Sequence, residues 1–166
     1  MTEKKITTAK ELLIQTNGDK YVGYNSNPVG PTNFEMVEEF HRKFDVPVGV
    51  LPNIISAQRA LLRVKLIEEE QKELVEAITR HNLVGIVKEA CDLLVVVYGT
   101  LVEYGINADH VFEEVHKSNM SKLGADGKPI HRADGKVLKG PLYQQAEPAI
   151  KEYLVKRGWK ELDDFV

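Results

Sequence analysis

The chain has 166 residues, of which 43% are hydrophobic, and this is enough to bury the core of one ordinary domain. Its 22 basic and 25 acidic residues give a formal net charge of -3, so no strong overall charge attracts nucleic acid or an anionic membrane. The single cysteine cannot form an internal disulfide, and the longest apolar run is too short to cross a bilayer. Because the N-terminus also has no apolar segment of the secretory kind, we expect a cytoplasmic protein.

Residues 1 to 32 are polar and end in NSNPVGP, whose prolines and glycine interrupt any regular element. We predict an N-terminal extension and linker there, followed by a single helical domain over residues 33 to 166. The first helix of this domain is FEMVEEFHRKF. Thr32 or Asn33 can cap it, and it must end before Pro47.

Two longer helices follow, one over residues 56 to 80 and one over residues 84 to 104, where Gly105 is well placed as a left-handed residue after the helix. A fourth helix starts at Asn107 or Asp109. Short loops join these helices, which predicts an antiparallel bundle. The third helix is apolar almost all round, so we expect it to be the most buried helix of the bundle.

After the fourth helix the pattern changes to LGADGKPIHRADGKVLKGPLY. Its Asp-Gly pairs predict a loop or a small hairpin around Asp134 and Gly135. Residues 147 to 157 can form a last short helix that ends at Gly158. The predicted fold class is therefore all-α: an antiparallel bundle of four to five helices with a C-terminal loop or small hairpin.

The second helix contains the acidic stretch LIEEEQKELVEAI. On a helical wheel Glu70 lies in the middle of the apolar face and Glu73 lies between two apolar residues. Glu69 lies at the border of that face, whereas Glu68 points away from it. A solvated acidic surface accounts for Glu68 but not for Glu70 or Glu73.

The third helix carries a second acidic pair, Glu89 and Asp92, on one face. Antiparallel packing of the second and third helices brings together four carboxylates without an equal number of basic residues: Glu70, Glu73, Glu89 and Asp92. Two like charges about 4 Å apart repel by roughly 4 kcal/mol at an effective dielectric of 20, so such a cluster should bind cations or hold protons. Ligands that are all oxygen favour a hard ion, which predicts Mg²⁺ as the cofactor, with Mn²⁺ able to replace it.

With Glu69 included, the pattern E-E-x-x-E followed by E-x-x-D resembles the MazG-like all-α nucleoside triphosphate pyrophosphohydrolases. This superfamily includes MazG, the dimeric dUTPases and phosphoribosyl-ATP pyrophosphohydrolase. The resemblance covers most of the chain and is most specific in the tail VHKSNMSKLGADGKPIHRADGKVLKGPLY. It implies cleavage between the α- and β-phosphates of a nucleoside triphosphate, with deoxynucleotides such as dUTP as the closest substrates and phosphoribosyl-ATP as the alternative.

Both the charge pattern and the resemblance assign roles to the acids. Glu70, Glu73, Glu89 and Asp92 are the expected metal ligands. Glu69 is the expected catalytic residue, which orients or deprotonates the attacking water, although an exchange of role with Glu70 stays open.

The resemblance also implies that Asn119 and Lys122 bind substrate, followed by Lys139 and Tyr143. Arg63 lies on the same helical face as Glu70 and either contacts phosphate or pairs with a carboxylate. Further phosphate contacts are available from the cations of the tail: Lys122, Lys128, Arg132, Lys136 and Lys139.

Two alternatives belong to other functional classes. A di-iron carboxylate bundle uses two E-x-x-H pairs, and the chain has these at Glu38 with His41 and at Glu113 with His116. The second alternative is a helical module whose acids bind a structural ion without catalysis.

So few helices leave one apolar side of the third helix poorly covered. We therefore expect a homodimer or a dimer of dimers, with the sites near the subunit boundaries. Apart from a nucleoside triphosphate substrate and further copies of the chain, the sequence points to no other partner.

Overall fold

The structure is a computed structural model, and it describes residues 30 to 160. Its helices are α1 (Asn33–Lys43), α2 (Ala57–Thr79), α3 (Leu83–Glu103), α4 (Ala108–Met120) and α5 (Glu147–Lys156). In this part of the chain the only extended pairing is a single bridge, so the predicted all-α fold class is confirmed. All these helices belong to the unit that starts at Pro31. Residues 1 to 29 of the predicted N-terminal extension lie outside the described residues.

Side-chain caps decide where the first four helices begin. Thr32 accepts a hydrogen bond from the backbone N–H of Glu35, and the Glu35 carboxylate accepts one from the Thr32 N–H at 2.7 Å. Ser56, Asn82 and Asn107 cap α2, α3 and α4 by accepting from the N–H three residues further on. Each cap satisfies a backbone donor that the helix itself leaves free. Of the alternatives left open by the sequence, the structure selects Thr32 and Asn107.

A tight turn joins α2 to α3 and makes them antiparallel neighbours. His81 has a left-handed backbone with φ of 53°, and the N–H of Asn82 donates to the Ala77 carbonyl at 3.0 Å. These are the features of a Schellman motif, which ends a helix and reverses the chain. Close to the turn the helices touch, since a Cβ added to Gly85 would lie 3.2 Å from the Ala77 Cβ.

The connection from α1 to α2 packs against the end of α3 at two glycines. The N–H of Gly49 donates to the Val102 carbonyl at 2.9 Å, and a Cβ on Gly49 would lie 2.4 Å from the Gly105 nitrogen. Gly105 has a φ of 71°, as predicted for the residue after the third helix. Phe34 and Val37 of α1 pack with Val102 in the buried apolar cluster, so α1 is held against α3.

The tail after α4 forms the predicted hairpin. His131 pairs with Val137 across the antiparallel bridge, and Gly135 at its tip has a φ of 87°. The N–H of Gly140 donates to the Lys122 carbonyl at 2.9 Å. The tail is therefore anchored to the residues that directly follow α4.

As expected, the third helix is the most buried of the described helices, because it has the smallest share of exposed residues. Much of the apolar surface of α2 and α3 is nevertheless exposed. The exposed apolar residues that we call the outer stripes recur at helical spacing: Val64, Val75 and Ile78 on α2, and Leu83, Val87, Leu94 and Val97 on α3. The physical reason is that the described part of one chain has too few helices to cover both sides of α3. No described helix is both long and apolar enough to cross a membrane.

Candidate metal and substrate site

Four carboxylates meet where α2 and α3 face each other. Glu70, Glu73 and Glu89 each offer one oxygen, and these oxygens all lie within 4.8 Å of one another. Asp92 joins this group through Lys88, whose Nζ lies 2.9 Å from both Asp92 Oδ2 and Glu89 Oε2. The structure thus brings together all four predicted metal ligands, and their role as ligands stays a prediction.

One carboxylate oxygen of Glu70 lacks a hydrogen-bond partner among the described residues. This oxygen, Oε2, is buried. Burial raises the pKa of the Glu70 carboxyl, the charges of Asp92 and Glu73 raise it further, and Lys88 opposes them. Because a buried carboxylate without a partner is unfavourable, this oxygen should take a proton or a cation. A donor set of carboxylate oxygens fits Mg²⁺ or Mn²⁺.

Lys88 is the basic residue of this site that the sequence reasoning missed. Besides contacting Asp92 and Glu89, its Nζ lies 4.0 Å from Glu73 Oε2. Hydrogen bonds to Asp92 and then to Glu89 raise the pKa of the Lys88 ammonium well above its ordinary range, so it is charged at neutral pH. The signal was present in the sequence, because Lys88 precedes Asp92 by four residues, the spacing of a helical ion pair.

Glu69, the predicted catalytic residue, lies next to Glu70 on α2, and its side chain is exposed. Glu68 is also exposed, as its position on the wheel predicts. An exposed carboxylate can reach a water molecule, and this exposure is compatible with the role predicted for Glu69. The catalytic role itself stays a prediction.

The residues predicted to bind substrate lie in two segments that touch. At the end of α4, Lys122 Nζ donates to Asn119 Oδ1 at 2.6 Å. In the tail, Lys139 Nζ lies 4.2 Å from the centroid of the Tyr143 ring, which is a cation–π contact. Gly140, next to Lys139, is hydrogen-bonded through its N–H to the Lys122 carbonyl. The structure therefore places these four residues in one region, and their role in substrate binding stays a prediction.

Arg63 pairs with a carboxylate, which is the second of its two interpretations. Its buried guanidinium donates to the Val96 carbonyl at 2.5 Å and to the Thr100 hydroxyl at 3.1 Å, and it lies 3.5 Å from Glu103 Oε1. Glu103 also accepts two hydrogen bonds from Arg59. Burial lowers the pKa of the Arg63 guanidinium, and the Glu103 charge opposes this. We call Arg59, Arg63, Thr100 and Glu103 the arginine clamp.

The arginine clamp lies on the same faces of α2 and α3 as the carboxylate cluster. Along α2, Arg63 precedes Glu70 by about two turns, and along α3, Glu103 follows Asp92 by about three turns. Gly99 makes room for the clamp, because a Cβ there would lie 2.7 Å from Arg63 Nη2. The clamp therefore helps to fix the register in which the acids of α2 and α3 face each other.

The two E-x-x-H pairs of the di-iron alternative have other contacts. His41 is buried, and its Nδ1 lies 2.9 Å from the Pro47 carbonyl oxygen. Glu113 pairs with Lys117 on the exposed side of α4. Within the described residues, the group of side chains able to hold a metal consists of glutamates and contains no histidine. The geometry therefore does not support a di-iron site.

Fold and site together define an all-α protein with a carboxylate cluster, suited to a divalent cation, between two antiparallel helices. The phosphoribosyl-ATP pyrophosphohydrolase family matches residues 37–119, half of the chain, and this range includes all four carboxylates. The chain belongs to this family, within the MazG-like all-α NTP pyrophosphohydrolase superfamily. The resemblance seen in the sequence is thereby confirmed.

Among the proteins similar to the chain are a viral protein and a protein of known structure. Uncharacterized protein L479 of Acanthamoeba polyphaga mimivirus is 40% identical over 104 residues, which are 59% of this chain and 41% of L479. The chain thus spans less than half the length of that relative. A crystal structure of a proposed NTP pyrophosphohydrolase from Exiguobacterium sp. 255-15 is 26% identical, with 76% of this chain and 95% of that chain covered and a TM-score of 0.43.

Proposed function

We propose that this chain is a cytoplasmic, Mg²⁺-dependent nucleoside triphosphate pyrophosphohydrolase. It cleaves the bond between the α- and β-phosphates and releases a nucleoside monophosphate and pyrophosphate. The observation that carries the proposal is the carboxylate cluster, in which the buried Glu70 oxygen has no hydrogen-bond partner among the described residues. Membership of a pyrophosphohydrolase family supports the same reaction class.

In this proposal the acids divide into ligands and a base. Glu70, Glu73, Glu89 and Asp92 hold the cation. When bound, Mg²⁺ neutralises the polyphosphate and lowers the pKa of the attacking water. Glu69, exposed beside the cluster, orients that water or accepts its proton.

The region at the end of α4 supplies the substrate contacts. Lys122 and Lys139 provide ammonium groups for the phosphate oxygens. Asn119 holds the Lys122 side chain by accepting a hydrogen bond from its ammonium group. The Tyr143 ring holds the Lys139 ammonium group by a cation–π contact.

We propose a deoxynucleotide such as dUTP as the substrate. The enzyme would then act in house-cleaning of the nucleotide pool, which keeps unwanted nucleotides out of DNA. The DGK-rich tail supports this choice, and it lies beyond residues 37–119, the part matched by the phosphoribosyl-ATP pyrophosphohydrolase family. The family's own name favours the second candidate, phosphoribosyl-ATP.

One panel of candidate substrates tests both the reaction and the substrate preference. The purified chain is incubated with canonical and modified NTPs and dNTPs and with phosphoribosyl-ATP, in Mg²⁺ and in Mn²⁺, and pyrophosphate and orthophosphate are measured separately. We expect metal-dependent release of pyrophosphate, with dUTP or another deoxynucleotide preferred. Release of orthophosphate alone would move the cleavage to the terminal phosphate and contradict the proposal. A chain that Mg²⁺ stabilises but that cleaves no substrate would favour the non-catalytic module.

We further propose that the chain acts as a homodimer or a dimer of dimers. The outer stripes expose apolar side chains at helical spacing on α2 and α3, and a second copy of the same helices would cover them as in a four-helix bundle. Because apolar surfaces of this kind are rarely left exposed in a monomer, assembly would account for the exposed apolar side of the third helix.

Light scattering during size-exclusion chromatography tests the assembly. We expect at least a dimer at micromolar concentration, and Leu94→Glu should reduce it to a monomer because a charge would enter the apolar interface. The matched control is Val155→Glu on α5, since Leu94 and Val155 are both 53% exposed. A wild-type chain that stays monomeric would contradict the proposal.

A further inference from the structure

Lys88 contacts carboxylates that are expected to hold a cation. Its Nζ is 2.9 Å from Asp92 Oδ2, 2.9 Å from Glu89 Oε2 and 4.0 Å from Glu73 Oε2. The ammonium therefore contacts or approaches three of the four predicted ligands, which come from both helices. In this arrangement Lys88 partly neutralises a cluster that is otherwise entirely acidic.

A divalent cation held by the four predicted ligands would compete with the Lys88 ammonium. Both are positive, and the Asp92 and Glu89 carboxylates that Lys88 contacts are among those ligands. The Lys88 ammonium can move away from these carboxylates, because the side chain is 60% exposed and a lysine side chain is flexible. Cation binding would therefore drive the ammonium to exchange its carboxylates for another anion.

The anion available at that moment is the polyphosphate of the substrate. A cation held by the cluster binds phosphate oxygens as well, so the phosphates must lie beside Glu89 and Asp92. Lys88 is the residue before Glu89, and a lysine side chain is long and flexible enough to move from a carboxylate to a neighbouring phosphate. An ammonium is also a usual phosphate ligand.

We propose that Lys88 is an exchangeable counter-cation, which neutralises the acids in the metal-free protein, leaves them when a divalent cation binds, and then contacts the substrate polyphosphate. This inference rests on the proposed function, since it needs both the metal and the polyphosphate. It adds a substrate-binding residue on α3 to those at the end of α4.

The experiment compares Lys88→Met with wild type in the full chain by two binding measurements. First, Mn²⁺ binding is measured by the EPR signal of the free ion. Removal of the competing charge should tighten Mn²⁺ binding by at least about five-fold. Second, binding of α,β-imido-dUTP is measured at saturating Mn²⁺, and loss of a charged phosphate contact should weaken it by about ten-fold.

The matched control is Lys117→Met, because Lys117 is 59% exposed and also pairs with two acids, Glu113 and Glu114, away from the cluster. We expect it to change neither measurement. If Lys88→Met binds Mn²⁺ as wild type does, the exchange is overturned; if only the nucleotide affinity is unchanged, the polyphosphate contact is overturned. Wild type that binds no Mn²⁺ would instead contradict the proposed function, so the two failures are distinguishable.

Discussion

Glu70→Gln will abolish metal-dependent turnover and leave the metal-free protein as stable as wild type or slightly more stable. The amide keeps the shape of the side chain but loses the charge of the predicted ligand whose Oε2 atom is buried without a hydrogen-bond partner among the described residues. We expect kcat to fall by about 10²–10³-fold or more, the size of effect seen when a main electrostatic contact of a transition state is removed. Steady-state kinetics with pyrophosphate detection measures this loss, and Asp92→Asn should behave in the same way.

The stability of Glu70→Gln should depend on pH. Burial and the neighbouring acids raise the pKa of Glu70, so the folded protein holds this proton more tightly than the unfolded chain does. The resulting stabilisation is present at pH values below the ordinary pKa of glutamate and is lost as the pH rises through the raised, folded-state pKa. Glutamine removes this loss, so the Tm of the variant relative to metal-free wild type should rise from acidic to neutral pH.

Glu68→Gln is the internal control for both measurements, because Glu68 is exposed on the same helix and lies outside the cluster. It should change neither turnover nor the pH dependence of Tm. Near wild-type kcat/KM in Glu70→Gln would show that Glu70 is not a metal ligand.

Glu103→Leu will be the most destabilising of the substitutions considered, because it leaves the buried Arg63 without its carboxylate. Glu103 and Arg63 are 4% and 5% exposed, so water cannot replace the lost partner. Removal of one member of a buried ion pair typically costs about 3–5 kcal/mol in the free energy of unfolding. Urea unfolding of the metal-free protein measures this cost.

A second variant distinguishes the lost charge pair from lost packing. Arg63→Met combined with Glu103→Leu removes both charges and should recover a large part of the stability, since a buried pair can often be replaced by apolar residues at little cost. The control is Glu152→Leu, which removes the exposed pair with Lys156 on α5 and should leave the free energy of unfolding almost unchanged. A cost that small for Glu103→Leu itself would show that the arginine clamp does not stabilise the fold.

The helices were predictable because their signals are local. Cap residues such as Thr32 and Asn107 and the left-handed Gly105 act within a few residues of the chain, so the sequence places the helix ends within a residue or two of where they are. The four carboxylates were predictable for a related reason. Helical spacing alone places Glu70 and Glu73 on one face of α2, and Glu89 and Asp92 on one face of α3. The three-residue turn between α2 and α3 makes the two helices antiparallel neighbours.

The interactions between helices were less predictable, because they depend on register and on which groups are left without water. The wheel places Arg63 and Glu70 on one face, but it does not show that Glu103 lies opposite Arg63. Lys88 was overlooked for a simpler reason. Its partner spacing is visible in the sequence, but an exposed lysine becomes informative only when three acids are found around it.

The turn between α2 and α3 has a consequence for how the protein folds. Glu70, Glu73, Glu89, Asp92 and Lys88 all lie in one helical hairpin. Contacts between residues so close in sequence cost little loop-closure entropy, and they favour early formation during folding. Repulsion among the acids is then present as soon as the hairpin forms, before the rest of the chain has packed around it. A divalent cation that relieves this repulsion will therefore accelerate folding and change the rate of unfolding much less.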